Sequence, residues 1–246
     1  MRLLPSPVMV ALDVDTKREA LKLVQELKPY TALFKVGFQL FYREGPTIIT
    51  DLRDLGVKVF LDLKLHDIPN TVLHALRNLS RLGIFMTNVH VAGGMEMMKQ
   101  ALIGARLGAE DAGLEPPLIL GVTVLTSLSA SDVQQDIGIA VDVTELAVRR
   151  AQLAQEAGLD GVVASPQETE PIRRACGKDF LVVTPGIRPQ ANGQDDQRRA
   201  TSPAQAVQAG SDLLIVGRPV IKAPEPARAL AAIIDEVSRA KEEAQA

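Results

Sequence analysis

Aromatic side chains are scarce in this chain of 246 residues, and tryptophan is absent altogether. Proteins that bind single-stranded nucleic acids stack the bases on aromatic rings beside a basic groove. Here aromatic residues make up 3% of the chain and the net charge is −3, with acidic and basic residues interspersed. The composition therefore predicts no nucleic-acid partner.

Cysteine is nearly absent, and long apolar runs are missing. Cys176 is the single cysteine, so no intramolecular disulfide can form, which is typical of a protein in the reducing cytoplasm. No apolar run approaches the roughly 20 residues that a membrane-spanning helix needs. Asp13 and Asp15 interrupt the first apolar run, which argues against a signal peptide. We therefore expect a cytoplasmic protein without a membrane partner.

Eight short apolar runs, each followed by a helical pattern, organise the chain. Strands that are buried on both faces of a parallel sheet have such unbroken runs. The predicted strands cover residues 8–14, 33–37, 57–64, 84–91, 118–126, 160–165, 180–184 and 212–216. Eight βα units fit a closed α/β barrel, the (β/α)8 or TIM barrel, as one domain over residues 1–246. The alternative is a doubly wound open sheet, but its usual glycine-rich turn is missing after the first strand.

Three local patterns refine the predicted helices. Thr16 is predicted to cap the first helix, and Gly56 to close a single helix over residues 39–55. After Arg218, one last amphipathic helix is predicted to reach about Lys241.

The stretch over residues 59–71 changes abruptly from apolar to charged. Asp62 and Lys64 are two positions apart, so on a strand their side chains point to the same side. Asp67 follows, and Pro69 ends the strand in a turn or a helix start. We expect the two carboxylates and the ammonium group to converge, which is costly for stability alone because buried charges lose hydration. An ion network that only closes the end of the sheet is the alternative interpretation.

Polar residues also follow the other predicted strands. In a barrel the carboxyl ends of all strands meet at one rim, where active sites lie. The residues at this rim are Asp13, Lys35, Asp62, Lys64, Asp67, His90, Thr126, Ser165, Arg188, Gly217 and Arg218. His66 and His90 are interpreted as a spectator and a structural residue, although contact of either with a ligand stays open.

Two loops point to a phosphate ligand. Thr184-Pro-Gly-Ile-Arg188 follows the seventh strand and Gly217-Arg218 follows the eighth, and barrels often bind phosphate in these two loops. Glycine lets backbone N–H groups approach the anion, and arginine adds charge-assisted bonds. The polar loop at about 188–201 is predicted to close over the phosphate, with Gln197 as a donor. Turn glycines, solvated arginines and a disordered loop are the alternatives.

No group of histidine, cysteine and glutamate residues has the spacing of a metal site. Asp62 and Asp67 could in principle hold Mg²⁺. Lys64 lies between them and already supplies the positive charge, so we expect no metal. No Ser-His-Asp or Cys-His arrangement is present in the pattern either.

Asp62-Leu-Lys-Leu-His-Asp-Ile-Pro-Asn-Thr71 resembles the D-x-K-x-x-D-I-P-N-T signature of the orotidine 5′-monophosphate decarboxylase family. The segments Ala11-Leu-Asp13, Phe34-Lys-Val-Gly37, Val122-Thr-Val-Leu-Thr-Ser127, Thr184-Pro-Gly-Ile-Arg188 and Val216-Gly-Arg-Pro219 agree with it in the same order. The resemblance implies a phosphate-binding barrel, a homodimer, and no metal or cofactor. It also implies the last step of de novo uridine monophosphate synthesis, with orotidine 5′-monophosphate as substrate.

The resemblance also implies a role for each matching residue. Lys64 would donate the proton, Asp62 would stand beside the departing carboxylate, and Lys35 would complete an alternating charge array with Asp67. Asp67 and Thr71 would act in the partner subunit's site. The other residues implied to bind substrate are Ile68 at the turn, Asp13 at the ribose, Thr126 at the pyrimidine, and Arg188, Gln197, Gly217 and Arg218 at the phosphate.

Two other functions stay open from the sequence. One is a Mg²⁺-dependent decarboxylase or aldolase for keto-sugar phosphates, whose pattern resembles D-x-K-x-x-D without the segment Ile68-Pro-Asn-Thr71. The other is a barrel that binds a nucleotide without turnover, which would not need Lys64 between two acids.

Overall fold

The computed structural model describes residues 6–189 and 201–243. Eight parallel strands follow one another in chain order around a closed barrel, and the last strand pairs with the first. They are β1 (Val8–Ala11), β2 (Leu33–Val36), β3 (Lys58–Leu65), β4 (Met86–His90), β5 (Leu118–Val122), β6 (Gly161–Val163), β7 (Leu181–Thr184) and β8 (Leu213–Val216). The prediction of a (β/α)8 barrel is confirmed, and the open sheet is wrong.

Helices surround the barrel. They are α1 (Lys17–Leu27), α2 (Phe38–Glu44), α3 (Thr47–Asp54), α4 (Pro69–Ser80), α5 (Gly94–Ala112), α6 (Ala130–Gln135), α7 (Val143–Ala157), α8 (Pro166–Cys176), α9 (Pro203–Gln208), α10 (Arg218–Ile221) and α11 (Pro226–Glu243). In the described ranges, none of them is long and apolar enough to cross a bilayer.

Two helices that the sequence predicted as single elements are each divided. The expected helix over residues 39–55 is wrong, because Gly45 has φ +69° and Pro46 disfavours a helical residue before it, so α2 ends and α3 begins. The last helix is likewise divided into α10 and α11 at a segment that contains Pro224 and Pro226.

The predicted helix caps agree with the structure. The Thr16 side chain accepts a hydrogen bond from the backbone N–H of Glu19, and the Glu19 carboxylate accepts one from Thr16 in return. Gly56 follows α3 with φ +77°, the left-handed conformation expected of a residue that closes a helix. These caps fix where α1 starts and where the chain enters β3.

The barrel interior is filled by alternate residues of the strands. Met9, Leu33, Phe60, Met86 and Ile215 belong to one buried cluster inside the barrel. Because side chains alternate between the two faces of a strand, Lys35 and Asp62 continue the inward faces begun by Leu33 and Phe60. The apolar interior therefore ends in charged side chains at the carboxyl ends of β2 and β3.

Candidate active site

A cavity of about 350 Å³ opens at the carboxyl ends of the strands. Its size is that of a small-molecule pocket. Many of the predicted site residues line it: Asp13, Lys35, Asp62, Lys64, Thr126, Arg188, Gly217 and Arg218. Closure of the barrel thus brings together residues that are far apart in sequence, as expected for the active-site end of this fold.

Four charged side chains form an array of alternating charge along one wall of the cavity. The Lys64 Nζ lies 2.7 Å from Asp62 Oδ1, and the Lys35 Nζ lies 3.4 Å from Asp62 Oδ2. On its other side the Lys35 Nζ lies 3.2 Å from Asp13 Oδ1. Each ammonium group therefore has a carboxylate next to it, and the order is Asp13, Lys35, Asp62, Lys64.

The two central members of this array, Lys35 and Asp62, are buried but remain ionised. Burial alone would raise the pKa of Asp62, but the charges of Lys35 and Lys64 and hydrogen bonds from Lys64 and Asn88 hold that pKa below its usual range. Burial would lower the pKa of Lys35, but Asp62 and Asp13 outweigh it and raise that pKa. Lys35 and Asp62 therefore keep their charges at neutral pH.

Strand β3 is irregular where it carries the catalytic candidates. Its register against β4 shifts between Leu61 and Leu65, and Lys64 has φ +43°, in the left-handed region. The Asn88 side chain accepts a hydrogen bond from the Lys64 backbone N–H and donates one to Asp62 Oδ1. Sequence reasoning missed Asn88, whose only signal is an amide in the middle of a predicted buried strand.

Asp67 does not join this array within one chain. Its carboxylate accepts a hydrogen bond of 2.7 Å from the backbone N–H of Ile68, at the turn where Pro69 begins α4. Asp67 and Thr71 are exposed, and Ile68 is 68% exposed. Asp67 does not line the cavity, so the expected convergence of Asp62, Lys64 and Asp67 is not seen within one subunit. Its contribution to a partner's site stays a prediction.

His66 and His90 lie beside the array rather than in the cavity wall. Their ring centroids are 5.4 Å apart. Burial lowers the pKa of His90 to about 4, and the nearby His66, Lys64 and Arg150 act in the same direction. His90 is therefore neutral at pH 7, so it adds no positive charge beside Lys64.

The loops after β7 and β8 face each other across the same cavity. Pro185, Gly186 and Arg188 come from the first loop, and Gly217 and Arg218 from the second. The polar loop at about 188–201 leaves and returns at one place, since the Arg188 N–H donates to the Thr201 carbonyl. Gln197 and the expected closure of that loop lie outside the described residues.

The chemistry of the cavity wall is that of cations and carboxylates rather than of a metal centre. Among residues 6–189 and 201–243, no group of three or more His, Cys, Asp or Glu side chains is placed to hold a metal ion. Lys35 and Lys64 occupy the places beside Asp62 where a cation would bind.

These features define a class: a (β/α)8 barrel whose rim carries alternating acids and lysines beside two loops that contain glycine and arginine. The model of the orotidine 5′-phosphate decarboxylase / HUMPS family matches residues 6–233. The chain therefore belongs to this family.

Individual relatives agree over nearly the whole chain. The orotidine 5′-phosphate decarboxylase of Syntrophomonas wolfei is 48% identical over 231 residues, covering 94% of this chain and 97% of the relative. That of Heliobacterium modesticaldum is 49% identical over 231 residues, covering 94% and 95%. The crystal structure of orotidine 5′-phosphate decarboxylase from Lactobacillus acidophilus superposes with a TM-score of 0.84 at 39% identity, covering 94% of this chain and 99% of that one.

Proposed function

We propose that this protein decarboxylates orotidine 5′-monophosphate to uridine 5′-monophosphate, the last step of de novo pyrimidine nucleotide synthesis. It is a carboxy-lyase that works without a cofactor. The observation that carries the proposal is the array of alternating charge in the cavity wall, together with membership of the family. The array consists of Asp13, Lys35, Asp62 and Lys64. No observation favours a keto-sugar phosphate substrate or a barrel without turnover.

Lys64 is the group that handles the reacting carbon. When the bond between the ring and the carboxyl group breaks, its electron pair stays on the ring carbon in the plane of the pyrimidine, outside the π system. The Lys64 ammonium stabilises that charge, then transfers a proton to the carbon and recovers one from solvent. For the slowest uncatalysed reactions the required stabilisation reaches about 20 kcal/mol.

Asp62 and Lys35 prepare this step. Asp62 faces the carboxyl group of the substrate, and its negative charge favours the departure of neutral CO₂. Asp62 can stay ionised there because Lys35 and Lys64 contact its two oxygens at 3.4 Å and 2.7 Å. The charges are therefore in place before the substrate arrives, so no reorganisation is needed during the reaction.

The other lining residues hold the rest of the nucleotide. Asp13 binds the ribose hydroxyl groups and Thr126 lies beside the pyrimidine. Arg188, Gly217 and Arg218 bind the phosphate, and all five residues line the cavity. Phosphate is remote from the reacting bond, but its binding energy can be used to reach the transition state.

The active unit is a homodimer in which Asp67, Ile68 and Thr71 enter the partner's cavity. The three side chains are exposed at the end of β3 that carries the active site, and the large apolar Ile68 side chain is 68% exposed. An exposed apolar side chain between polar neighbours fits an interface. In the partner's site, Asp67 would extend the alternating charges beyond Lys64.

The cytoplasm is the compartment that fits this protein. Its one cysteine, Cys176, is buried and free, as is usual where thiols stay reduced.

Mixing two inactive variants tests the shared site. We expect Lys64→Ala and Asp67→Ala proteins to be nearly inactive alone and to recover about a quarter of wild-type kcat when refolded together, because half of the dimers are mixed and each has one intact site. The control is a mixture of Lys64→Ala with Asp62→Asn. Both of those changes affect a group from the same subunit, so no intact site forms. No recovery in the first mixture, with mixed dimers present, would show that Asp67 acts within its own chain, and full activity of Asp67→Ala alone would show that it has no role.

Removing metal ions tests the proposed chemistry. The absorbance of orotidylate should fall at the same rate, within about twofold, in EDTA and in added Mg²⁺, because Lys64 takes the place that a Lewis acid would have. A Mg²⁺-dependent enzyme of the same barrel group would lose its activity in EDTA and regain it with Mg²⁺. An unchanged orotidylate spectrum in both conditions would contradict the proposed reaction. It would leave either an enzyme for keto-sugar phosphates, which does not act on orotidylate, or a barrel that only binds nucleotide.

A further inference from the structure

Lys64 has a backbone conformation that lysine rarely adopts. Its φ is +43°, and it is the only residue other than glycine with positive φ in the part of the chain that the structure describes. An L-amino acid with a long side chain is disfavoured there, because its Cβ crowds the neighbouring carbonyl oxygen. Such a conformation persists only where the surrounding structure enforces it.

The bulge in β3 shows what enforces it. Leu61 pairs with Thr87 and Leu65 pairs with Val89, so three residues of β3 lie opposite Asn88 alone. A regular ladder cannot bond all the backbone groups of such a segment. Two side chains of β4 bond this part of β3 instead. The Thr87 hydroxyl donates to the carbonyl of Leu61, before the bulge, at 2.8 Å, whereas Asn88 contacts Lys64 within the bulge.

Asn88 joins the backbone of Lys64 to the side chain of Asp62. Its Oδ1 accepts from the Lys64 N–H at 2.8 Å, and its Nδ2 donates to Asp62 Oδ1 at 2.7 Å. The residue is fully buried. A single planar amide supplies both an acceptor and a donor, whereas an ionised carboxylate only accepts and an alkyl group does neither.

We propose that Asn88 is a positioning residue of the reaction, which holds the strained Lys64 backbone and the Asp62 carboxylate together so that both side chains reach the substrate. Asn88 does not line the cavity and acts through these two residues. The inference rests on the proposed roles of Lys64 and Asp62. It adds β4 to the strands that shape the active site, since β4 then sets the geometry of groups on β3.

Three variants test this role. Asn88→Leu removes both hydrogen bonds at similar volume, and we expect kcat to fall about 100-fold with KM changed less than about threefold, since a small displacement of catalytic groups has that effect. Thr87→Val is the matched control: it removes one buried hydrogen bond from the same bulge and leaves Lys64 and Asp62 untouched. It should lower the melting temperature but keep kcat within about threefold of wild type.

The pH dependence of kcat in Asn88→Asp distinguishes a positioning role from a structural one, because a structural role would leave that dependence unchanged. Next to Asp62, the introduced carboxyl group takes up a proton, because two adjacent carboxylates cannot both ionise readily. In its protonated form it can still donate to Asp62 and accept from Lys64. We therefore expect kcat of this variant to fall as the pH rises through the raised pKa of the pair, over a range where wild-type kcat is flat.

The outcomes separate this inference from the proposed function. Asn88 is only structural if Asn88→Leu retains the kcat of Thr87→Val, or if the pH profile of Asn88→Asp parallels that of wild type. The proposed decarboxylase function is unaffected by either result. If Asn88→Leu does not fold, the Asn88→Asp profile decides alone. If the wild-type protein has no decarboxylase activity, the proposed function itself is wrong.

Discussion

Lys64→Ala should lower kcat for orotidine 5′-monophosphate by at least about 10⁴-fold while the barrel stays folded, since one side chain supplies both the proton and the charge at the reacting carbon. Loss of one partner from a buried ion pair usually destabilises a protein strongly. Here Asp62 keeps the Lys35 ammonium at 3.4 Å and the Asn88 amide at 2.7 Å, so its charge stays compensated. Absorbance at saturating substrate measures kcat, and circular dichroism and thermal unfolding check the fold.

Two further lysine variants sharpen this test. Lys58→Ala changes an exposed ammonium at the opposite end of β3, which lies over the Phe85 ring, and should leave kcat within about twofold of wild type. Lys64→Arg keeps the charge, but a planar guanidinium cannot take the position of the ammonium, and we expect it to lose nearly as much activity as alanine. Substantial turnover by purified, folded and dimeric Lys64→Ala would refute the assignment of the proton donor.

The barrel could be predicted because its signals are local. Unbroken apolar runs such as those of β1 and β8 occur only where both faces of a strand are covered, and eight of them in alternation with helices leave few architectures. Polar residues after each run then define the rim without any knowledge of contacts. The cavity residues Asp13, Lys35, Arg188 and Arg218 follow from this rule, although their roles stay predictions.

The pairing of Asp62 with Lys64 is predicted from the two-residue alternation of side chains along a strand, and β3 does not maintain that alternation at these residues. The two-residue alternation requires a regular strand, but β3 bulges between Leu61 and Leu65. The contact of 2.7 Å survives because the left-handed backbone at Lys64 turns its side chain toward Asp62. Bulges depend on the register with the neighbouring strand, and that is tertiary information absent from a short segment of sequence.

Other parts of the site could not be predicted for the same reason. Asn88 lies within a run that is otherwise suited to a buried strand, and its value depends on a bulge in another strand. Closeness in sequence predicts Asp67 beside Lys64, but its side chain accepts a hydrogen bond from the Ile68 N–H at the turn before α4. A short distance along the chain does not bring two side chains together when a turn lies between them.

Arg218→Ala should distinguish substrates by their phosphate group. We expect kcat/KM for orotidine 5′-monophosphate to fall about 10²- to 10⁴-fold, since hydrogen bonds to a charged group contribute about 1.5–3 kcal/mol each and this guanidinium can make two. For orotidine, which has no phosphate, kcat/KM should change by less than about threefold, because the remaining contacts are unaltered. The ratio of the two losses measures the phosphate interaction alone.

The position of Arg218 makes this comparison necessary. It begins α10 directly after β8, so a substitution there could also displace Gly217 and the neighbouring Asp13, whose Oδ2 would lie 3.4 Å from a Cβ at position 217. Displacement of Asp13 would weaken the binding of both substrates, since both carry the ribose. Arg228→Ala, an exposed arginine beside Glu225 near the start of α11, is the matched control and should change neither value. Equal losses on the two substrates would show that Arg218 supports the fold of the loop rather than the phosphate.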